Sequence, residues 1–284
     1  METAEIRYNG NAMVIQANDL IRGKQDNFTL LEAKLLKLVI SQVAAQSTDL
    51  KTYTCRIPEL AAFLDLHPSE IYREIETTTA SLMTKVITIK DKTKKPKRNG
   101  EYNWVKFHWV SFCHYADGIL TIRLSDEIKP FVLELDKHFT TYGIDNIISL
   151  STSNAIRLFE LLSSYEYLTH SPHNNFPQIQ KQENEIVFSI DYLREYFNCE
   201  DKYPLNADFF RWVIDPSVLG INKNTDMRVS YRTAKEGRKI NYILFKINAW
   251  EDNDFKDFVE KQVGKMGLLT DSYYRYLGLN FSAK

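Results

Sequence analysis

The chain has 284 residues, of which 44% are hydrophobic and 26% are charged, so it is long enough for two domains that each bury a core. Its formal net charge is only -1, so a nucleic-acid-binding function must be argued from local basic patches. Cys55, Cys113 and Cys199 are well separated and form no CxxC pair, which argues against a disulfide framework or a zinc site. No apolar run approaches about 18 residues and the N-terminus lacks the apolar core of a signal peptide, so we expect a cytoplasmic protein.

Residues 139–167 (FTTYGIDNIISLSTSNAIRLFELLSSYEY) lie between two halves with the same predicted order of elements. Residues 139–149 are predicted to be a connector, and a long helix follows with Ser151 or Ser153 at its start. A series of helix, short helix, longer helix, strand, basic turn and strand precedes this helix, and the same series begins again with it. The pattern predicts two copies of one small unit.

The first copy contains a helix-turn-helix pattern. NFTLLEAKLLKLVISQV is predicted to be a helix that begins with a capping box of Thr29 and Glu32, and PELAAFL is a short helix with Pro58 at its start. A tight turn then leads into the longer helix SEIYREIETTTASLMTK, whose apolar positions face inward. Arg73 and Thr77 lie on its neighbouring face and are candidate DNA contacts.

A β-hairpin with a basic turn follows, which makes the whole pattern that of a winged helix. VITIK and NWVKFHWVSF are predicted strands, and DKTKKPKRNG between them is a polar turn. Clustered basic residues on a hairpin tip suit sequence-independent contact with phosphates. The candidate contacts are Lys85, Lys92, Lys94, Lys95, Lys97 and Arg98. A solvated loop and a nuclear-localisation signal are the alternatives. A strand (GILTIRL) and a helix (DEIKPFVLELD) close this domain.

The second copy repeats the design. EIVFS is a predicted strand, and IDYLREYF is a short helix capped by Ser189. NADFFRWVIDPSVLGIN is a longer helix with Phe209 and Val213 buried and a bend at Pro216. The hairpin MRVSYRTAKEGRKINYILFKI follows, and its candidate phosphate contacts are Arg232, Lys235, Arg238 and Lys239. Two matched basic wings favour phosphate contact over a solvated loop.

We therefore predict an α+β protein with two tandem winged-helix domains. The expected boundaries are a flexible N-terminus at residues 1–10, a first domain at 11–142, a second domain at 143–250 and a helical tail at 251–284. The tail begins with an amphipathic helix and ends in the aromatic stretch SYYRYLGLNF. We expect it to pack against the body, with docking to another protein as the alternative.

The chain resembles the iteron-binding plasmid replication initiators, a family with paired winged helices. The lines that carry the resemblance are NAMVIQAN, LLEAKLLKLVISQV, SEIYREIETTTASLMTKVITI and residues 107–166 in the first half. In the second half they are IDYLREYF, VIDPSVLGINKNTDMRVSY and GRKINYILFKI. The resemblance spans residues 11–248 in matching order and spacing.

The resemblance implies that the longer helix of the second domain reads the bases of a repeat in double-stranded DNA. It implies that the first domain contacts the rest of the repeat and also serves dimerisation. Monomers would bind the repeats to open the origin and recruit the host helicase and other replication proteins, whereas dimers would repress their own synthesis.

One departure concerns the second reading helix, which is rich in arginine in better-studied relatives. Here the stretch YPLNADFFRWVI offers only Arg211. Base reading is therefore expected from Asn206, Arg211 and apolar contacts to thymine methyl groups, while Lys202 and the wing hold the phosphates.

Two alternatives remain open. A rolling-circle nickase would need a catalytic tyrosine and a metal held by paired histidines, but no two histidines flank a single apolar residue. Tyr72, Tyr165 and Tyr196 are expected at core or near-core helical positions, and no GxxxxGK[ST] loop is present. We therefore expect no enzymatic activity, no cofactor and no metal. A purely regulatory DNA-binding repressor is the stronger rival.

Overall fold

The structure, a computed structural model, describes residues 3–7, 12–43, 49–64, 66–91, 102–133, 135, 137–166, 176 and 178–247. Residues 92–100 of the predicted basic turn DKTKKPKRNG and the tail predicted at residues 251–284 lie outside these ranges.

The helices and strands occur in the predicted repeating order. The helices of the first half are α1 (Asn18–Arg22), α2 (Leu30–Ile40), α3 (Ile57–Leu64), α4 (Pro68–Thr84), α5 (Lys129–Val132) and α6 (Ile144–Ile148). Its strands are β1 (Thr3–Glu5), β2 (Met13–Ala17), β3 (Lys24–Gln25), β4 (Thr52–Arg56), β5 (Val86–Asp91), β6 (Asn103–His108), β7 (Val110–Ala116), β8 (Ile119–Leu124) and β9 (Phe139–Gly143). The second half has α7 (Ser153–Tyr165), α8 (Ile190–Tyr196), α9 (Asn206–Phe209), α10 (Asp215–Asn224), β10 (Glu185–Ser189), β11 (Val229–Glu236) and β12 (Lys239–Ile247). The series α2-β4-α3-α4-β5-β6 and α7-β10-α8-α9/α10-β11-β12 confirm two tandem winged-helix units in an α+β protein.

The two units differ in how their strands pair. In the second unit the strand order β10-β12-β11 joins the wing hairpin to the strand that precedes α8. In the first unit the wing belongs to the sheet β3-β5-β6, whereas β4 belongs to the sheet β1-β4-β8-β7. The predicted strand NWVKFHWVSF is interrupted at the buried Trp109, so that β6 pairs with β5 while β7 pairs with β8. The first unit therefore carries a second hairpin, β7–β8, that the repeat pattern did not predict.

Residues 3–7 correct the expectation of a flexible N-terminus over residues 1–10. β1 pairs in parallel with β4, and Ile6 is buried in the core. The predicted connector at 139–149 is also part of the fold, because β9 pairs with β2 and α6 buries Ile144 and Ile147. The linkage between the two units is therefore a packed strand and helix.

Helix starts follow local capping chemistry. The capping box of Thr29 and Glu32 forms as predicted, and Ser189 caps α8. The N-cap of α7 is Thr152 and not Ser151 or Ser153, since Thr152 has extended backbone angles and its side chain accepts from the Ala155 N–H at 3.1 Å. These caps fix where the helices of both units begin.

A π-helical turn at Phe210–Ile214 lies between α9 and α10, just before Pro216, where the sequence predicts a bend. Proline has no N–H to donate to the preceding turn, and the wider turn accommodates this loss. Phe209 and Val213 remain buried as predicted, and Val218 and Ile221 are buried beyond the proline.

One hydrophobic core runs through both units. α7 packs against α1 and α2 of the first unit and against α10 of the second. Every residue of α2 from Glu32 to Ile40 is buried, including Lys34 and Lys37. The longer helices of the two units, α4 and α10, are thus held by one continuous packed interior.

Candidate nucleic-acid interface

The outward face of α4 carries the first pair of predicted contacts. Arg73 and Thr77 are exposed, while Ile71, Ile75 and Leu82 on the opposite face are buried as expected. The Arg73 guanidinium lies 3.0 Å from the Glu74 carboxylate. Because α4 also carries Glu70 and Glu76, its acidic residues outnumber its one arginine and weaken its attraction for phosphates.

The base of the first wing is tied to the body of the protein. Lys85, predicted to contact phosphates, is largely buried, with its Nζ 3.5 Å from a Glu32 carboxylate oxygen and 6.0 Å from the centre of the Phe28 ring. Lys90 on β5 donates to Glu195 on α8 at 2.9 Å. The remaining candidates lie outside the described residues: Lys92, Lys94, Lys95, Lys97 and Arg98.

The second reading helix presents an arginine beside a tryptophan. Arg211 is exposed, and its guanidinium carbon lies 5.1 Å from the centre of the Trp212 ring. Trp212 is 56% exposed, and Leu205, just before α9, is 65% exposed. Trp212 belongs to the stretch from which the sequence predicts apolar contacts to thymine methyl groups, whereas the exposed Leu205 was not singled out.

Asn206 is held inside the second unit and is poorly placed for the base reading expected of it. Its Nδ2 donates to the Ile240 carbonyl at 2.9 Å, and its Oδ1 accepts from Arg194 at 3.2 Å. Both amide atoms therefore have protein partners and anchor the start of α9 to β12. Arg194 also donates to the Lys202 carbonyl at 2.9 Å, while the Lys202 side chain is exposed as expected.

The basic side chains of the second wing fall into two groups, those exposed at its tip and one that pairs with the body of the unit. Lys235, Arg238 and Lys239 are exposed around the turn between β11 and β12, where Gly237 takes the left-handed angle φ 63. Arg232, predicted to contact phosphates, instead donates to both oxygens of the buried Glu185 at 2.6 and 2.8 Å and to the Gln180 carbonyl. The hydrogen bond to Glu185 raises the pKa of Arg232 above its usual value. The tip cations face solvent, whereas Arg232 fixes the wing to β10.

Polar contacts join the two units across their boundary. Lys24 on β3 donates to Glu200 at 2.5 Å, which complements the Lys90–Glu195 pair at the first wing. Arg22 on α1 donates to the Ser164 carbonyl and stacks 3.7 Å from the centre of the Tyr165 ring. Together with the shared core, these contacts hold one unit against the other.

A buried ionic network lies beneath that boundary. The Glu160 carboxylate on α7 accepts from Lys37 at 2.6 Å, from Gln16 at 2.5 Å and from the Tyr142 hydroxyl. Lys37 also donates to the Gln16 side chain at 3.1 Å. Burial lowers the pKa of Lys37, and the neighbouring Glu160 opposes that effect. The network connects α2, β2, β9 and α7.

The nickase alternative concerns the histidine, cysteine, carboxylate and tyrosine side chains. No group of three or more histidine, cysteine or carboxylate side chains could hold a metal ion in the described ranges. Tyr196 is buried and Tyr165 partly buried, as expected, but Tyr72 is exposed, contrary to its expected place near the core. Within the same ranges, no helix is both long and apolar enough to cross a membrane.

Two tandem winged helices, with exposed cations on a reading helix and a wing tip, define a DNA-binding class of protein. Comparison with known families specifies the class further. The model described as "Initiator Replication protein, WH1" matches residues 13–163, and the model described as "Initiator Rep protein, WH2" matches residues 189–247. The chain belongs to this family of replication initiator proteins.

Individual relatives are distant. A "Replication initiation protein" of Escherichia coli is 20% identical over 272 residues, which cover 92% of this chain and 79% of that protein. A solved structure described as the "Pi initiator protein in complex with iteron DNA" superposes with a TM-score of 0.65 at 21% identity, covering 86% of this chain and 100% of that chain. At this identity the superposition establishes the shared fold.

Proposed function

We propose that this protein initiates plasmid replication by binding direct repeats, or iterons, in double-stranded DNA at an origin. The observation that carries the proposal is the joining of two winged helices by one core, which holds two reading helices at a fixed spacing. Membership of the initiator family supports it, as does the similar fold of an initiator described in complex with iteron DNA.

In the second unit we assign base reading to Arg211 and phosphate contact to Lys202, Lys235, Arg238 and Lys239. Arginine is suited to a bidentate bond with a guanine edge, whereas exposed lysines act as point charges toward phosphates. Exposed Trp212 and Leu205 supply apolar surface for thymine methyl groups. Asn206 and Arg232 position these contacts without touching DNA, because their polar atoms bind other parts of the unit.

In the first unit we assign the phosphate contacts to the wing tip: Lys92, Lys94, Lys95, Lys97 and Arg98. Arg73 and Thr77 on α4 contact the neighbouring part of the repeat. Lys85 stabilises the base of the wing through its ion pair with Glu32. The acidic character of α4 makes the tip the main source of attraction on this side.

Binding alone would perform the proposed task, without a catalytic step or a cofactor. Monomers open the origin in the cytoplasm and recruit the host helicase and other replication proteins. Dimers repress the protein's own gene. Self-association is supported by β7, which pairs only with β8 among the described strands and exposes Phe112 and Tyr115.

Footprinting on the DNA that flanks the gene tests the proposal. An initiator should protect regularly spaced direct repeats, whereas a pure repressor should protect only an inverted site at its promoter. Arg211→Ala serves as a variant with weakened specific binding. Its matched control is Arg56→Ala, which removes an exposed arginine of β4 to which no DNA contact is assigned. A plasmid that persists in its host without the gene would contradict the initiator function, and cleavage of supercoiled plasmid by the purified protein would contradict the non-enzymatic mechanism.

A further inference from the structure

A small cavity lies where the two winged-helix units meet. Its volume is about 20 Å³, which is room for one particle near the size of a water molecule or a halide ion. The first unit contributes the segment from Gln25 to Phe28 and the inner side of α2, including Lys37. The second side is formed by α7 residues that include Arg157 and by Tyr196 to Asn198 at the end of α8. Whatever occupies this cavity touches both units.

Two residues that line the cavity have buried donors without a hydrogen-bond partner among the described residues. They are Gln25 Nε2 and Arg157 Nη1. Gln25 is only 4% exposed, so its amide cannot turn to solvent. The other terminal nitrogen of Arg157 donates to the Tyr196 carbonyl at 2.8 Å, and its guanidinium stacks 3.9 Å from the centre of the Tyr196 ring. Because buried donors are costly when unpaired, these two call for an acceptor inside the cavity.

The two unpaired donors and the helix terminus at the cavity wall favour an anionic acceptor. Lys37 and Arg157 carry two positive charges, while Glu160 supplies one negative charge and is paired with Lys37 at 2.6 Å. Asp26 also lines the cavity, but it is exposed and accepts from the Val86 N–H at 2.8 Å. Ser153 and Asn154 place the first turn of the 13-residue helix α7 at the wall, and the N-terminus of a helix attracts negative charge.

We propose that this cavity is a binding site for a single halide ion, chloride in its natural setting. The ion accepts hydrogen bonds from Gln25 and Arg157 and lies against the first turn of α7. Since its ligands come from both units, its binding stabilises their relative position. Anions larger than a halide, such as gluconate, are excluded by size.

Bromide replaces chloride in the direct test. Crystals of the full chain grown in sodium bromide should show an anomalous scattering peak between Gln25 Nε2 and Arg157 Nη1. A water molecule at that point, with bromide only elsewhere, would overturn the proposal.

Thermal unfolding provides the test in solution. At constant ionic strength, replacing gluconate by chloride at about five times its dissociation constant should raise Tm by roughly 2–4 °C. Gln25→Leu should abolish this difference, whereas the control Lys24→Gln, which removes a nearby surface ion pair, should retain it. If no ion is bound, Gln25→Leu only removes an unpaired donor, so Tm should rise by the same amount in chloride and in gluconate. That result would also overturn the proposal. If Gln25→Leu does not fold, the presence or absence of the bromide peak in the wild-type crystals tests the proposal.

Discussion

Replacing Glu160 by glutamine tests whether the buried network holds the two units together. Lys37 and Glu160 have side chains only 4% and 2% exposed, and their charged atoms lie 2.6 Å apart. The substitution keeps the shape but leaves the Lys37 ammonium buried without its countercharge. Breaking a buried pair in this way costs about 3–5 kcal/mol, a large share of the ~5–15 kcal/mol that stabilises a typical domain.

Urea unfolding, followed by circular dichroism, measures this loss. The matched control is Glu195→Gln, which removes an ion pair with Lys90 whose two side chains are 49% and 40% exposed. An exposed pair contributes at most about 1 kcal/mol, so the control should change little. The double variant Lys37→Met/Glu160→Leu should recover much of the stability lost in Glu160→Gln, because it leaves no unpaired charge. A loss below about 1 kcal/mol for Glu160→Gln would refute the assignment of the network as a stabilising junction.

Three further predictions concern the DNA contacts. Arg211→Ala should cost roughly 1–3 kcal/mol in binding free energy and relax specificity at one base position, as measured by mobility shift on a set of repeat variants. The second substitution replaces four cations of the first wing by glutamine: Lys94, Lys95, Lys97 and Arg98. It should weaken binding to specific and random DNA alike, and each lost contact should flatten the slope of log K against log salt by about 0.9. Arg232→Ala should leave that slope unchanged but lower the free energy of unfolding by roughly 1–3 kcal/mol, because the buried Glu185 carboxylate loses its cationic partner.

Each of these predictions has a contrary result. Unchanged affinity and specificity in a folded Arg211→Ala variant would remove Arg211 from the reading surface. A loss confined to one DNA sequence, with the salt slope intact, would mean that the first wing reads bases. A reduced salt slope in Arg232→Ala would place Arg232 on a phosphate despite its bonds to Glu185.

Sequence periodicity and capping chemistry were sufficient to predict most helices and the repeated unit. The capping box at Thr29 and Glu32 and the buried positions Phe209 and Val213 depend on residues within a few positions of one another, so local patterns identify them. The pairing of β1 with β4 and the break at Trp109 depend on contacts between distant segments. No local pattern contains that information.

The same limit applies to the candidate site. Lys85 and Arg232 belong to the basic clusters that the sequence predicts, yet each pairs with a buried carboxylate from a distant segment, Glu32 or Glu185. Asn206 lies on the expected helix, but its amide bonds to β12 and Arg194. A residue type at a plausible position predicts a possible contact, and only the tertiary partners decide between DNA and the protein itself.

The central claim is that a single chain, with two reading helices on one core, binds one direct repeat. Light scattering on a purified complex with a single repeat measures the number of chains directly, and footprinting of the same complex measures the protected length. The account predicts one chain that protects more than one helical turn of about 10.5 base pairs, since two winged helices read adjacent parts of the DNA. Direct repeats call for monomers placed head to tail, whereas a two-fold dimer prefers a palindrome. Two chains on one direct repeat would contradict the account and favour a dimeric repressor.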